Sequence, residues 1–300
     1  MRLPLYRQSC NEQVITRLTG NYRSHAALLT VPSSLFYGGN LQCLAPEKVT
    51  SPYINFGELG HAKFPFMLYN VCEGKEGNVM DVPSFYNLEE IKGIIGIIQG
   101  LLQSKKIESA GGVSTDEIAV ITPFRAQVLM LRTRLRLSGL GSINVGVVED
   151  FQGQEMSIVI ISTVLTKTHK RWSCIPKGNA IGTKLGFMHD PKRFNVAITR
   201  AHALCIVVGH AKFLRESGTY WTALIEHIQR NGGIINSKKD GLLEDTHQNL
   251  NKHESHGAFG VQKLIERVEE LKLLGSGYEE EKYDLSVYYE DAPQWKVMLT

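Results

Sequence analysis

Four short segments carry the residue types that could do chemistry. In Leu18-Thr-Gly-Asn-Tyr-Arg-Ser-His25 an aromatic ring, Tyr22, stands beside a guanidinium, Arg23, just ahead of a helix-like stretch, Ala26–Phe36. An exposed tyrosine can stack on a nucleobase while arginine reaches phosphate through two N–H groups; a packed tyrosine beside a surface arginine is the alternative. Ile121-Thr-Pro-Phe-Arg-Ala-Gln127 ends an apolar run and opens a helix. Ligands gather at the carboxyl ends of strands in open α/β sheets, and free N–H groups at a helix start suit a phosphate. Thr122 as N-cap, with Pro123 at the first helical position, is the ordinary alternative.

The third segment is Val147-Val-Glu-Asp-Phe-Gln-Gly-Gln-Glu155. Gly153 permits a positive φ or a close backbone approach, and Glu155 can accept hydrogen bonds from ribose hydroxyls. A tight turn with Glu155 capping the next element competes with that reading. In Pro191-Lys-Arg-Phe-Asn-Val-Ala-Ile-Thr-Arg-Ala201, helical spacing puts Arg193, Val196, Ala197 and Arg200 on one side. A guanidinium so placed can stabilise charge on a transferring phosphoryl group, whereas a solvated basic helix would do no chemistry.

These segments need a scaffold, and the apolar runs supply one. Phe64–Val71, Ile118–Thr122, Ser157–Val164 and Ala203–Gly209 are apolar on both faces, the pattern of buried parallel strands; Ile143–Val148 is a weaker fifth. Helix-like stretches, Ser84–Ser104, Phe124–Leu137 and Phe194–Arg200, fall between them. Alternation of this kind predicts the α/β class, a mostly parallel sheet covered by helices. Tyr37–Lys63 is punctuated by glycine and proline and reads as a surface connection. Trp221–Gln229 reads as a last amphipathic helix, stopped by Asn231-Gly232-Gly233. The divisions expected are therefore a leading segment at 1–17, a globular body at 18–233 and a polar, acidic tail at 234–300, partly helical or disordered.

Bulk properties exclude some classes. In 300 residues no apolar run approaches the length of a membrane span, and the first residues lack the core of a secretory signal, so a soluble, cytoplasmic protein without membrane partners is expected. Five widely spaced cysteines hold no C-x-x-C pair, so no metal site is expected and reduced, buried thiols are. From Asn236 onward acidic residues outnumber basic ones 13 to 8, which leaves a body of net +8. That asymmetry is compatible with a nucleic-acid-facing body.

Taken in order, Asn-Tyr-Arg-Ser-His, Thr-Pro-Phe-Arg-Ala-Gln, Glu-Asp-Phe-Gln-Gly-Gln-Glu and Lys-Arg-Phe-Asn-Val-Ala-Ile-Thr-Arg resemble the second-lobe motifs of superfamily 1B helicases of the Upf type, and best those of Armitage-like RNA helicases. The resemblance covers about Leu18 to Gly233 and implies a RecA-like fold. It also implies roles: Tyr22 beside the adenine, Arg23 and Arg200 at the γ-phosphate as catalytic groups, Gly153 and Glu155 at the nucleotide, with Glu155 on the ribose. Thr122, Gln127, Ser162 and Thr163 fall where the family contacts the nucleic-acid backbone. ATP with Mg²⁺, single-stranded RNA and an N-terminal RecA-like lobe are the cofactors and partners it implies.

Two departures stand out. Where the family has Ser-Thr-Val-Arg, this chain has Ser162-Thr163-Val164-Leu165, so one cation near the nucleic acid is missing. His169–Lys184 is longer than the usual connection and reads as an exposed loop. The chain also contains neither a G-x-x-x-x-G-K-[ST] cradle nor an acidic Mg²⁺ site; Gly178-Asn-Ala-Ile-Gly-Thr-Lys184 departs from the pattern by a Thr before its lysine. By the resemblance those motifs lie upstream, so Met1 is expected just after a first lobe, and this chain alone is expected not to hydrolyse ATP. The alternatives are a stand-alone lobe that binds RNA or a partner without catalysis, and a lobe of a related DNA helicase. The sequence does not choose between RNA and DNA, because such motors grip sugar and phosphate more than base edges.

Overall fold

The computed structural model describes residues 18–54, 64–72, 76–78, 84–104, 112–166, 188 and 190–237. The chain divides into two units, Met1–Leu243 and Glu244–Thr300, and all described residues belong to the first. The long connection at His169–Lys184 and the tail beyond Ser237 lie outside them, as does the segment before Leu18.

Ten strands are described: β1 (Gly20–Asn21), β2 (Gln42–Cys43), β3 (Phe66–Asn70), β4 (Glu76–Asn78), β5 (Phe85–Asn87), β6 (Ile118–Ile121), β7 (Asn144–Gly146), β8 (Met156–Ser162), β9 (Ala201–Gly209) and β10 (Ile234–Asn236). Six of them form one sheet in the order β10-β3-β9-β8-β6-β7, every neighbouring pair parallel. The helices are α1 (Ala26–Phe36), α2 (Glu47–Thr50), α3 (Leu88–Gln103), α4 (Arg125–Leu137), α5 (Pro191–Ile198), α6 (Ala211–Glu216) and α7 (Thr219–Arg230).

Successive strand residues feed opposite faces, which is why both-face apolarity marked these strands. Phe66 and Leu68 join Leu28 of α1, Phe194 of α5, Leu214 of α6 and Trp221 of α7 in one core. Met67 and Tyr69 face the other way, against Ile91, Ile94 and Ile98 of α3 and Leu131 of α4. The result is a three-layer α/β body with the RecA-like arrangement. Among the described residues no helix is long and apolar enough to cross a membrane.

Three local differences from the sequence reading have physical causes. Helix α4 starts at Arg125 with Phe124 as N-cap, one residue inside the expected Phe124–Leu137, and Thr122 does not cap it; the Ala126 N–H is satisfied from afar by Ser84 Oγ at 2.9 Å. The Tyr37–Lys63 connection contains β2, whose pairing with β1 ties the ends of α1 together, and the short helix α2. The sheet also continues past Gly233 into β10, a three-residue edge strand too short to show a period.

Candidate nucleotide and nucleic-acid sites

The turn before α1 is built by Asn21, whose Oδ1 accepts the N–H groups of both Arg23 and Ser24 at 2.9 Å. Ser24 Oγ then donates to the Ala201 carbonyl at 2.8 Å, and the His25 N–H to the His202 carbonyl at 2.9 Å. His25 finishes the turn by accepting from the Ala27 N–H at its Nδ1, the N-cap of α1. Asn-Tyr-Arg-Ser-His is thus a loop pinned to the first residues of β9. It leaves Tyr22 74% exposed and aims Arg23 at Glu155, an ion pair through Nε and Oε2.

Glu155 is brought there by the turn at Gly153, whose φ of 78° suits glycine, followed directly by β8. His202 Nε2 stands 3.4 Å from the other carboxylate oxygen. Partial burial pushes the Glu155 carboxyl up, but the Arg23 hydrogen bond and charge, joined by His202, outweigh that and bring it below its ordinary value. Burial holds His202 below the usual histidine range, with Arg23 adding to the effect and Glu155 opposing it.

Arg200 follows the end of α5. Its Nε donates to the Val196 carbonyl at 3.0 Å, Nη1 to the Gln154 carbonyl at 3.1 Å and Nη2 to Thr199 Oγ1 at 3.3 Å. Burial and the nearby charge of Arg23 both depress its pKa, while Glu155 raises it. Arg193, expected on the same side, instead pairs with Glu149 at 2.7 Å. Tyr22, Arg23, Gly153, Glu155 and Arg200 therefore come together around the amino ends of β8 and β9. Two guanidiniums face one carboxylate there, so the site carries surplus positive charge beside an exposed ring, which suits a flat base with a polyanionic tail. Any ligand reaching Glu155 must share it with Arg23.

Thr122, Gln127, Ser162 and Thr163 lie elsewhere. Glu155 precedes β8 and Ser162 ends it, so at roughly 3.3 Å per residue the two sets are more than about 20 Å apart, at opposite ends of the sheet. All four are also fully buried. The reason is local: polar side chains at strand ends next to an apolar core must find partners. Gln127 Nε2 donates to Ser162 Oγ at 2.9 Å and its Oε1 accepts the Asn87 N–H at 2.9 Å. Thr163 Oγ1 donates to the Val208 carbonyl at 3.2 Å, and of these four side chains only Thr122 has a buried oxygen without a partner among the described residues. Arg125, 61% exposed at its side chain and 3.7 Å from Asp150, is a cation near this end.

The sequence reading missed the group that organises this network, Glu90. It is fully buried on α3 and accepts from Ser162 Oγ at 2.6 Å and from the Val164 N–H at 2.9 Å. Val164 has φ 69°, and the Leu165 N–H donates to the Thr163 carbonyl at 2.8 Å, closing a left-handed γ-turn. Such a turn at a β-branched residue stores about 1–3 kcal/mol. It also sends Leu165 into the core, so the position where the family carries arginine holds a buried apolar side chain. Gly209 passes against this turn: a Cβ there would collide with Thr163 Oγ1 and approach Thr163 Cβ to 3.1 Å. Gly209→Ala is expected to lower stability by about 1–3 kcal/mol, the cost of overpacking a locked site. A urea midpoint equal to the wild type would refute it.

Among the described residues no group of three or more His, Cys, Asp or Glu is placed to hold a metal ion. Against known proteins, the sequence pattern of one family, described as AAA domain, matches residues 4–212. The chain is 38% identical over 226 residues to the RNA helicase Mov10l1 of Homo sapiens, covering 74% of this chain and 17% of that one. It is 36% identical over 233 residues to MOV-10 of Gallus gallus, described as a helicase, covering 74% and 23%. The armi protein of Drosophila melanogaster, described as an RNA helicase, is 29% identical over 240 residues, covering 75% and 18%. The chain thus spans roughly a fifth of the length of the relatives it matches.

Proposed function

The chain belongs to the Upf-like AAA domain family of superfamily 1B helicases, on its Armitage-like branch, and from that premise we propose that it is the second motor lobe of an ATP-dependent RNA helicase. The observation that carries this reading is the convergence of Tyr22, Arg23, Glu155 and Arg200 at the amino ends of β8 and β9. In the proposed complex Tyr22 stacks on the adenine, Glu155 binds the ribose, and Arg23 and Arg200 meet the γ-phosphate across a cleft closed by a first lobe. ATP with Mg²⁺ supplies the transferable phosphoryl group; the Mg²⁺ ligands belong to the first lobe, and this chain's share is positive charge held in place. Lobe closure then drives stepping along single-stranded RNA in the cytoplasm.

The burial of Thr122, Gln127, Ser162 and Thr163 refines the RNA side: they hold the carboxyl ends of β6 and β8 in shape, and exposed neighbours such as Arg125 meet the phosphates. The naming of human Mov10l1 as an RNA helicase supports RNA over DNA. Binding of a labelled single-stranded RNA to this chain should weaken by about 20- to 50-fold between 50 and 200 mM salt, the loss expected when three or four phosphate contacts release counterions. A binding curve flat over that range would sink the reading, and a clear preference for DNA of the same sequence would move it to the DNA helicases.

A further inference from the structure

Asn87 and Glu90 stand three residues apart at the start of α3, the spacing of a helix N-cap and its N3 residue. Asn87 does cap the helix, its Oδ1 accepting the N–H groups of Glu89 at 3.1 Å and Glu90 at 3.2 Å. In a capping box the N3 glutamate turns back to the cap. Glu90 instead reaches across to β8, where its Oε2 accepts from Ser162 Oγ and from the Val164 N–H. Asn87 Nδ2 meanwhile donates to the Val164 carbonyl at 3.1 Å. Both peptide groups of the one described non-glycine residue with positive φ are therefore gripped from the same helix turn. Valine disfavours that φ, so without the two grips the chain would relax toward extended geometry.

The surroundings of the carboxyl accommodate a proton. Thr163 has one hydroxyl proton but two oxygen neighbours, the Val208 carbonyl at 3.2 Å and Glu90 Oε1 at 3.5 Å. A carboxyl protonated on Oε1 donates to Thr163, Thr163 donates to Val208, and Oε2 accepts twice, so every group is used. An ionised carboxylate would be a fully buried charge, and among the described ion pairs no cation reaches Glu90 to offset it.

We propose that Asn87 and Glu90 form a clamp, with Glu90 as a neutral acid, that positions the Ser162–Leu165 turn and through it the RNA-facing end of the sheet. Its link to RNA rests on the function proposed above; the clamp itself does not. Glu90 is a positioning residue, since it is fully buried and touches no ligand.

The test uses the full chain and a labelled single-stranded oligouridine, with amide hydrogen exchange at Val164 read in parallel. Glu90→Gln should bind within about twofold of wild type, because its amide can donate to Thr163 while its oxygen accepts as before. Glu90→Ala should lose Val164 protection and bind RNA at least about tenfold more weakly, on the principle that a turn released from its partners reopens. Adding Val164→Gly to Glu90→Ala should restore binding to within about threefold, since glycine holds a positive φ unaided. A purely structural role for Glu90 predicts no such rescue, and its absence overturns the clamp. So does a Glu90→Ala protein with wild-type exchange at Val164; if that variant does not fold, Asn87→Ala takes its place with the same expectations. Glu90→Gln as impaired as Glu90→Ala overturns the neutral acid. Failure of the wild type to bind RNA while the exchange pattern holds counts against the proposed function and leaves the clamp standing.

Discussion

Arg200→Ala, in this chain joined to a first lobe, should cut RNA-stimulated ATP turnover by about 10³- to 10⁵-fold, the range over which an arginine finger acts, and Arg23→Ala should approach it. The geometry explains why Arg200 should carry the larger share. Its guanidinium is fixed by the Val196 and Gln154 carbonyls and by Thr199 Oγ1, so little reorganisation accompanies charge development on the phosphate. The same bonds carry some folding energy: Arg200→Ala should lower stability by about 1–2 kcal/mol, in line with the loss of part-exposed hydrogen bonds. Arg23 makes a half-exposed ion pair with Glu155, and its removal should cost at most about 1 kcal/mol. Turnover per folded molecule separates the two effects. If either variant melts markedly earlier yet keeps that turnover, its arginine is a structural partner and has no part in phosphoryl transfer.

The second large effect is a pH dependence of stability set by Glu90. Burial pushes its carboxyl from 4.5 up to about 8, against the hydrogen bonds from Ser162, Val164 and Thr163 that favour the charged form. Between those values the folded chain holds a proton that the unfolded chain has released, so stability falls as pH rises through the window and levels off above it. Glu90→Gln cannot titrate. Relative to that variant, the wild type should lose on the order of a few kcal/mol between pH 4.5 and 8. His25, His202 and His227 are all depressed by burial and shift stability in the opposite sense, rising with pH, but they are common to both proteins and cancel in the difference. Urea denaturation of both proteins at pH 5 and pH 8.5 measures it. A difference that stays constant with pH would place the Glu90 carboxyl in its ordinary range.

Much of this was legible in the sequence. The strands were readable because a sheet covered on both sides has no polar face to break the run, as in Ile118–Ile121 and Ala201–Gly209. Tyr22, Arg23, Glu155 and Arg200 were readable as a set from their motifs. What escaped is non-local. Glu90 looks like any acid in the first turn of an amphipathic helix, and nothing nearby in sequence says that it crosses to Ser162, 72 residues on. Without that partner the polar residues at the ends of β6 and β8 had no visible reason to be inside. Asn87, three residues before a glutamate, did carry a cap signal. The separation of the two residue sets was also implicit, because Glu155 and Ser162 bracket a single strand.

The order of the sheet bears on how the protein is made. β3 is the first of the six strands to leave the ribosome, yet its two neighbours, β9 and β10, are the last. At synthesis rates of 5–20 residues per second, Phe66–Asn70 waits on the order of ten seconds for Ala201–Gly209 to emerge. During that interval Phe66, Met67, Leu68 and Tyr69 have neither flanking strand, and a short, uncharged, β-prone segment is one that sticks to other chains. The nascent polypeptide therefore carries an apolar stretch whose flanking strands are made long after it, and escorts that cover exposed apolar segments during translation are part of what this arrangement demands.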